Sequence, residues 1–236
     1  MRDPPSREEL LKIAHQRLYP SLANPNYLVL RSRRRILAQW MDQLPARRLD
    51  VLDLGGRYQP YRPLLGDRAG RYVALDILGS ALVDVVGTGQ QLPFRSSTFD
   101  LVIATSVFEY FPEPRIPAEE VLRVLKPGGH FIISVASMFP KVVDAEHWRF
   151  LPAGLRFVLR PFAEARIVPE VGSVGGFLRF TAASLSIFAK YNFMRQLVHH
   201  TLVPMMNILG LALDRPSISV NDQLSGNYSA LAQKGT

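Results

Sequence analysis

The sequence predicts an α/β fold: a doubly wound, mostly parallel sheet of seven strands with helices on both faces. Three observations carry that expectation. Short apolar runs rich in Val, Leu and Ile recur from residue 49 onward and alternate with segments of helical period. The first run, Leu49-Asp50-Val51-Leu52-Asp53-Leu54, breaks on an acid into the turn Gly55-Gly56-Arg57. The second, Arg71-Tyr72-Val73-Ala74-Leu75-Asp76-Ile77, also ends on an acid. Near-continuous apolar strands of this kind belong to sheets covered on both faces.

Each element follows from local chemistry. Ser6-Arg7-Glu8-Glu9 is a capping box that opens a helix running to about Arg17. Pro20 and Pro25 bracket a loop. Tyr27 to Leu44 reads as an amphipathic helix carrying Leu28, Leu30, Ile36, Leu37 and Trp40. After the first strand, residues 59–65 form a short helix or turn. The second strand spans Arg71 to Ile77, the third Leu82 to Val86 and the fourth Phe99 to Thr105. Pro117 to Leu125 is a helix with Glu119 and Glu120 in its first turn, where the dipole favours them. Lys126-Pro127-Gly128-Gly129 stops that helix and turns the chain into a fifth strand, His130 to Val135. Leu151 to Phe162 is a helix and Ala163 to Val171 the sixth strand. Gly176 to Lys190 and Phe193 to Leu213 read as two apolar helices, inserted before a closing strand at residues 225–234.

Composition narrows the field. A chain of 236 residues with a 47% hydrophobic fraction can build one sizeable core. There are no cysteines, which excludes disulfides and thiolate metal sites. His199 and His200 are adjacent on a helix and diverge, so no metal site is expected. The polar start Met1-Arg2-Asp3-Pro4-Pro5-Ser6 has no signal-peptide core, and the expected location is cytoplasmic. The stretch from Thr201 to Leu213 is too short to span a bilayer, which takes about 20 residues. The net charge of +8 comes mostly from arginine. It suits a phosphate-bearing partner or a solvated surface. The one dense cluster, Arg31-Ser32-Arg33-Arg34-Arg35, is spread around a helix, and no aromatic–basic alternation supports nucleic-acid binding.

Ligands of doubly wound sheets bind at the carboxyl ends of the strands, where Asp53 and Asp76 fall. A carboxylate at Asp53 repels a phosphate and suits a cation. Asp76 has the reach to accept from both hydroxyls of a ribose. A nucleoside with a positive group near its 5′ end fits the pair, and S-adenosylmethionine is such a molecule.

Four elements in order extend this reading: Val51-Leu52-Asp53-Leu54-Gly55-Gly56, Ala74-Leu75-Asp76, Leu92-Pro93-Phe94 through Phe99-Asp100-Leu101-Val102, and Arg123-Val124-Leu125-Lys126-Pro127-Gly128-Gly129. With them the chain resembles the class I S-adenosylmethionine-dependent methyltransferases, in the small-molecule branch, over residues 50–137. The resemblance implies a single Rossmann-like domain over 1–236: an N-terminal helical cap (1–48), a cofactor-binding core (49–137) and substrate-side helices with the closing strands (138–236). It further implies that Asp53 and the backbone at Gly55 and Gly56 hold the amino-acid end of S-adenosyl-L-methionine. Asp76 then takes the ribose and Ile77 packs on the adenine. Gly87-Thr88-Gly89 reads the adenine edge, with Thr88 where the family often has an acid. Thr105 to Phe108 line the floor under the methionine tail. Arg57 and Gln59 stand where the family has further glycines, and Arg57 either meets the cofactor's carboxylate or points to solvent.

Methyl transfer to an alcohol needs alignment and a proton acceptor. His147, in Asp144-Ala145-Glu146-His147-Trp148-Arg149-Phe150, is the first candidate base, with Glu109 and Tyr110 as rivals. The apolar stripes Phe177, Phe180, Leu185, Phe188 and Leu197, Leu202, Met205, Met206, Leu209, Leu213 suit a core, a lid over an apolar substrate, a protein interface, or a peripheral membrane contact helped by Arg179, Lys190 and Arg195. The expected substrate is a small molecule or lipid-linked saccharide, methylated on oxygen rather than nitrogen. A non-catalytic S-adenosylmethionine-binding partner protein and a nucleic-acid methyltransferase are the alternatives.

Overall fold

The computed structural model describes residues 5–141, 143–188, 192–214 and 222–236. Both halves of the capping box form: the Ser6 hydroxyl accepts from the Glu9 amide, and the Glu9 carboxylate accepts from the Ser6 amide. They start α1 (Arg7–Leu18). In α2 (Tyr27–Asp42), Leu37, Trp40 and Met41 turn inward onto the sheet. Then come β1 (Leu49–Leu54), a 3-10 turn (Arg62–Arg68), β2 (Ala69–Asp76), β3 (Val85–Val86) and β4 (Phe99–Thr105). A second 3-10 turn (Phe108–Tyr110) leads to α3 (Arg115–Val124), β5 (Leu125–Ala136), α4 (Pro152–Val158) and β6 (Glu164–Pro169). α5 (Ser173–Phe188), α6 (Asn192–Leu197), a π turn (Val198–Leu202) and α7 (Val203–Leu213) precede β7 (Asn227–Gln233).

The seven strands form one sheet in the order β3-β2-β1-β4-β5-β7-β6. β1 to β5 pair in parallel, and β7 runs antiparallel to both β5 and β6. Alternate residues feed two cores, as the two-residue repeat of a strand requires. Val51, Leu101, Ile103 and Ile132 face α2, while Leu52, Val102, Phe131 and Ile133 face the side that carries α3 and α4. In this order β4 is central with β1 beside it and β2 beyond, and the tips of β1 and β2 are neighbours on the carboxyl edge.

Some expected bounds shift. β3 keeps Val85–Val86 alone: before it the Ala74 amide is taken by the Asp84 side chain in place of a strand carbonyl, and the Leu82 carbonyl accepts from Gln59. α4 ends at Val158, short of Phe162. Lys126–Gly129 lies within β5 as a bulge: Phe99 pairs with Leu125 and Leu101 with His130, so the four residues loop out with Gly128 at φ 72°. Lys126 there bridges Asp50 and Asp100, at 2.8 and 2.9 Å, tying β1 to β4. The expected helix at 193–213 is broken by the π turn into α6 and α7, and the expected helix end at Lys190 lies outside the described residues. Among the described residues, no helix is long and apolar enough to cross a membrane.

Candidate functional site

The turn after β1 is clamped from two sides. The amides of Gly55 and Gly56 both donate to the Leu75 carbonyl, at 2.8 and 3.1 Å, so the turn folds onto the end of β2. Gly55 has φ 77°, and a Cβ there would sit 2.9 Å from Val107. At Gly56 a Cβ would meet the Asp53 carbonyl oxygen at 2.7 Å and its carboxyl carbon at 2.8 Å. Glycine therefore keeps the space over Asp53 clear.

Asp53 is buried, and the Tyr72 hydroxyl donates to its Oδ2 at 2.6 Å. Burial lifts its carboxyl to about 7; the neighbouring Asp76 charge adds to the rise and the Tyr72 bond opposes it. A cation beside Asp53 would reverse that shift. Asp76 stands at the tip of β2. Its Oδ1 accepts from the Leu78 amide at 2.9 Å, capping its own turn, and its other oxygen has no partner among the described residues. Ile77 beside it is 68% exposed, an apolar side chain open at the sheet's ligand edge. The Gly87 amide donates to the Asp76 carbonyl at 3.0 Å, which brings residues 87–89 to the same tip. Gly89 is packed under Phe111, where a Cβ would lie 2.6 Å from the ring. Thr88 is exposed, and its hydroxyl accepts from the Gln90 amide at 3.2 Å.

Arg57 lies half-buried with its Nε shielded from water and without a hydrogen-bond partner among the described residues. Gln59, in a place where the family has glycine, takes the glycine-like φ of 51°. Its side chain stabilises that backbone by donating to the Leu82 carbonyl and accepting from Arg62 at 3.1 Å.

The tips of β4 and β5 supply the other wall. Thr105 ends β4, opposite Ser134. Phe108 corrects an expectation. Its ring is fully buried against Phe111 and Phe131, so it belongs to the core and does not line a cofactor floor. Glu109 is also buried. Its Oε1 accepts from the Ala136 amide at the end of β5, its Oε2 has no partner, and burial raises its pKa. Its carbonyl accepts the amides of His147 and Trp148, at 2.8 and 3.3 Å. The structure thus joins Glu109 to His147, far apart along the chain, with Tyr110 next to Glu109 in sequence. Trp148 anchors the loop through its indole nitrogen to the Phe111 carbonyl at 2.9 Å, which leaves His147 exposed. Tyr110 is on the rim, with a pKa raised by burial and by the nearby Glu146 and Glu109.

Behind this wall is a polar cluster that the sequence reading does not include. Glu170 Oε1 accepts from Arg33 Nε at 2.8 Å, Ser134 at 2.5 Å and Ser229 at 2.7 Å. Burial works against the Arg33 charge, and Glu170 more than offsets it. Arg33 Nη1 also donates to Ser106, at 3.3 Å, in a turn with φ 53°. The available signal is periodicity: Leu30, Arg33, Leu37 and Trp40 share one helical stripe. Arg179, expected among surface bases, is buried instead. It donates to Asn26 and Asn227 at 3.0 and 2.8 Å and covers the Phe139 ring at 4.0 Å, and burial lowers its pKa to about 9. Among the described residues no group of three or more His, Asp or Glu side chains is arranged to hold a metal ion.

A methyltransferase domain model matches residues 52–133, the stretch that contains both acidic tips and β4 and β5 up to Ile133. Over these residues the chain matches the methyltransferase domain family, in keeping with its resemblance to the class I S-adenosylmethionine-dependent enzymes. It is 31% identical over 115 residues to the biotin biosynthesis bifunctional protein BioHC of Cellvibrio japonicus, a match covering 43% of this chain and 23% of that protein. The matches span between 13 and 51% of the length of the curated relatives. Among solved structures the fold is similar to the 1,6-didemethyltoxoflavin-N1-methyltransferase of Burkholderia thailandensis, crystallised with S-adenosylhomocysteine (TM-score 0.51, 16% identity, 86% of this chain and 78% of that one). It is also similar to the [4+2]-cyclase SpnF (TM-score 0.54, 16% identity, 100% and 98%). This methyltransferase fold therefore hosts more than one chemistry, and the reaction has to be argued from the site. The residues present fit the family's cofactor. Asp53 is a buried acid whose raised pKa a cation would relieve, Gly56 keeps open a space that a Cβ would fill, and Arg57 holds a shielded, unpartnered Nε.

Proposed function

We propose that the chain transfers a methyl group from S-adenosyl-L-methionine to an oxygen of a small molecule or a lipid-linked saccharide. The observation that carries this is the pair Asp53 and Asp76, one buried and one open, on neighbouring tips joined through the Leu75 carbonyl. Asp53 would hold the cofactor's ammonium, with Arg57 toward its carboxylate. The free oxygen of Asp76 would take a ribose hydroxyl, Ile77 the adenine face and the 87–89 turn its edge. Thr105 would line the tail. When bound, the cofactor supplies an electrophilic methyl group whose departure needs no acid.

The chain's own task is to position the acceptor hydroxyl and remove its proton as the carbon–oxygen bond forms. His147 is the acceptor of that proton in this reading. Glu109 positions it through the backbone, and Tyr110 lines the entrance. Peripheral membrane contact through α5–α7 fits a lipid-linked acceptor.

Calorimetry with S-adenosylhomocysteine tests the cofactor half. Binding is expected, and Asp76→Ala should weaken it at least about tenfold, the loss of one or more hydrogen bonds to a charged group. No heat with the unaltered protein would end the reading. Binding with no labelled product, when radiolabelled donor is incubated with extracts of the source cell, would favour the non-catalytic partner instead. His147→Ala should leave that binding intact and lower turnover by about 100-fold or more.

A further inference from the structure

Residues 171–213 contain no Asp or Glu, and Lys190 and Arg195 fall among them, with Arg179 buried. The helices built from this stretch do not bury all of its apolar surface. In α7, Val203, Asn207 and Gly210 face inward. Met205, Ile208, Leu209 and Leu213 face outward, between 42 and 60% exposed. The outward stripe of a surface helix normally carries its charges, and this one carries none. On α5, packed against α7, Val174, Phe177 and Phe180 are likewise open. Arg195 and His200 are exposed on the segment between them.

Beside α7 a cleft of about 550 Å³ opens between α2, β6 and the end of that helix. Arg31 and Arg35 of α2 and Arg166 of β6 line it, and none of the three side chains has a hydrogen bond or ion pair among the described residues. Three acids line it too: Glu170 is held by Arg33, Asp214 accepts the Gly172 amide at 2.8 Å through one oxygen while the other has no partner among the described residues, and Asp222 is half-buried. Ile36 and Val168 make apolar wall, and Leu211, 42% exposed, belongs both to the cleft and to the outer surface of α7.

We propose that α5–α7 dock on an anionic phospholipid bilayer, the apolar side chains entering the interface and a lipid phosphate seating on Arg31, Arg35 and Arg166. An apolar helical surface without acids, beside arginines that have no partner among the described residues, matches such a membrane in both polarity and charge. The surface lies on the substrate-side helices and would bring the protein to a lipid-linked acceptor. It rests on the proposed reaction for that use alone.

Flotation with vesicles tests it without any methyl donor, so its failure and that of the methyl-transfer reading are separate results. The protein should float with phosphatidylcholine mixed with phosphatidylglycerol and remain below with phosphatidylcholine alone. Met205→Asp with Leu209→Asp should cut the bound fraction about tenfold. Arg31→Gln, Arg35→Gln and Arg166→Gln together should remove the preference for the anionic lipid. Arg95→Gln, Arg156→Gln and Arg160→Gln, an equal loss of charge elsewhere, should leave it. S-adenosylhomocysteine affinity, unchanged in each variant, reports that the fold is intact. Absence of flotation, equal flotation on both vesicles, or equal loss in the two arginine triples would overturn the proposal. So would conversion of a dimer to a monomer by the aspartate pair, which would assign the surface to a second copy of the chain.

Discussion

Asp53 makes the stability of the chain depend on proton concentration. Burial penalises its charge and pushes the folded carboxyl up to about 7, from about 4 in an unfolded chain. Between those values the folded chain holds the proton more tightly than the unfolded chain. Stability from this group therefore falls as pH rises from about 4 to about 7 and is level above. The penalty at pH 8 corresponds to about 4 kcal/mol. Asp53→Asn should thus raise the melting temperature of the ligand-free protein at pH 8 and change it little at pH 4, as read by scanning calorimetry. The same substitution removes the charge for an ammonium, so S-adenosylhomocysteine affinity should drop. In the unaltered protein that affinity should fall about tenfold per pH unit below 7 and plateau above. A flat affinity profile between pH 5.5 and 8 would show that Asp53 does not meet the cation. Legibility at this scale divides by range. Asp53 and its glycine turn are readable because strand, acid and turn are contiguous. The burial of Phe108 is not, because it depends on Phe111 and on Phe131 from a different strand.

At the scale of elements, the inserted helices are seated by close backbone approaches and amides. Gly176 of α5 passes so near Leu224 that a Cβ would fall on its carbonyl oxygen, and a Cβ on the neighbouring Gly175 would reach the Asp214 carboxylate at 2.6 Å. Asn207 of α7 is buried and donates to the carbonyls of Leu22 and Asn24, at 2.7 and 3.0 Å. Gly210, one turn on, lies against the Leu28 side chain. Asn207→Leu leaves two carbonyls unmatched and should cost about 2–4 kcal/mol. Gly176→Ala should cost at least as much, since backbone must move. Chemical denaturation measures both; losses under 1 kcal/mol would mean the insert is not part of the cooperative fold. The sequence signals these helices by their length and apolar content. The π turn at Val198–Leu202 leaves no such signal, since the apolar pattern of residues 193–213 runs straight through it.

Across the whole molecule, one buried ion pair joins elements that are far apart in the chain. Arg33 and Glu170 are 137 residues apart. Around them meet α2, the turn after β4, the ends of β5 and β7, and the segment that leads from β6 into α5. The chain thereby fastens its N-terminal cap to its C-terminal insert over the carboxyl edge of the sheet. Helical period alone indicates that Arg33 faces inward, whereas its partner is set by the strand order β5-β7-β6, which no local pattern encodes. Two buried charges cost desolvation that their attraction roughly offsets, so the pair is a poor source of net stability and a strong penalty when halved. Glu170→Ala should therefore cost about 3–5 kcal/mol, leaving a guanidinium buried without its carboxylate. Arg33→Met combined with Glu170→Leu should recover most of that loss. A double-mutant cycle by urea denaturation measures the coupling, with S-adenosylhomocysteine affinity as a second readout. If the cluster merely holds the ends together, the double variant regains affinity along with stability. If stability returns and affinity does not, the charges themselves shape the ligand edge.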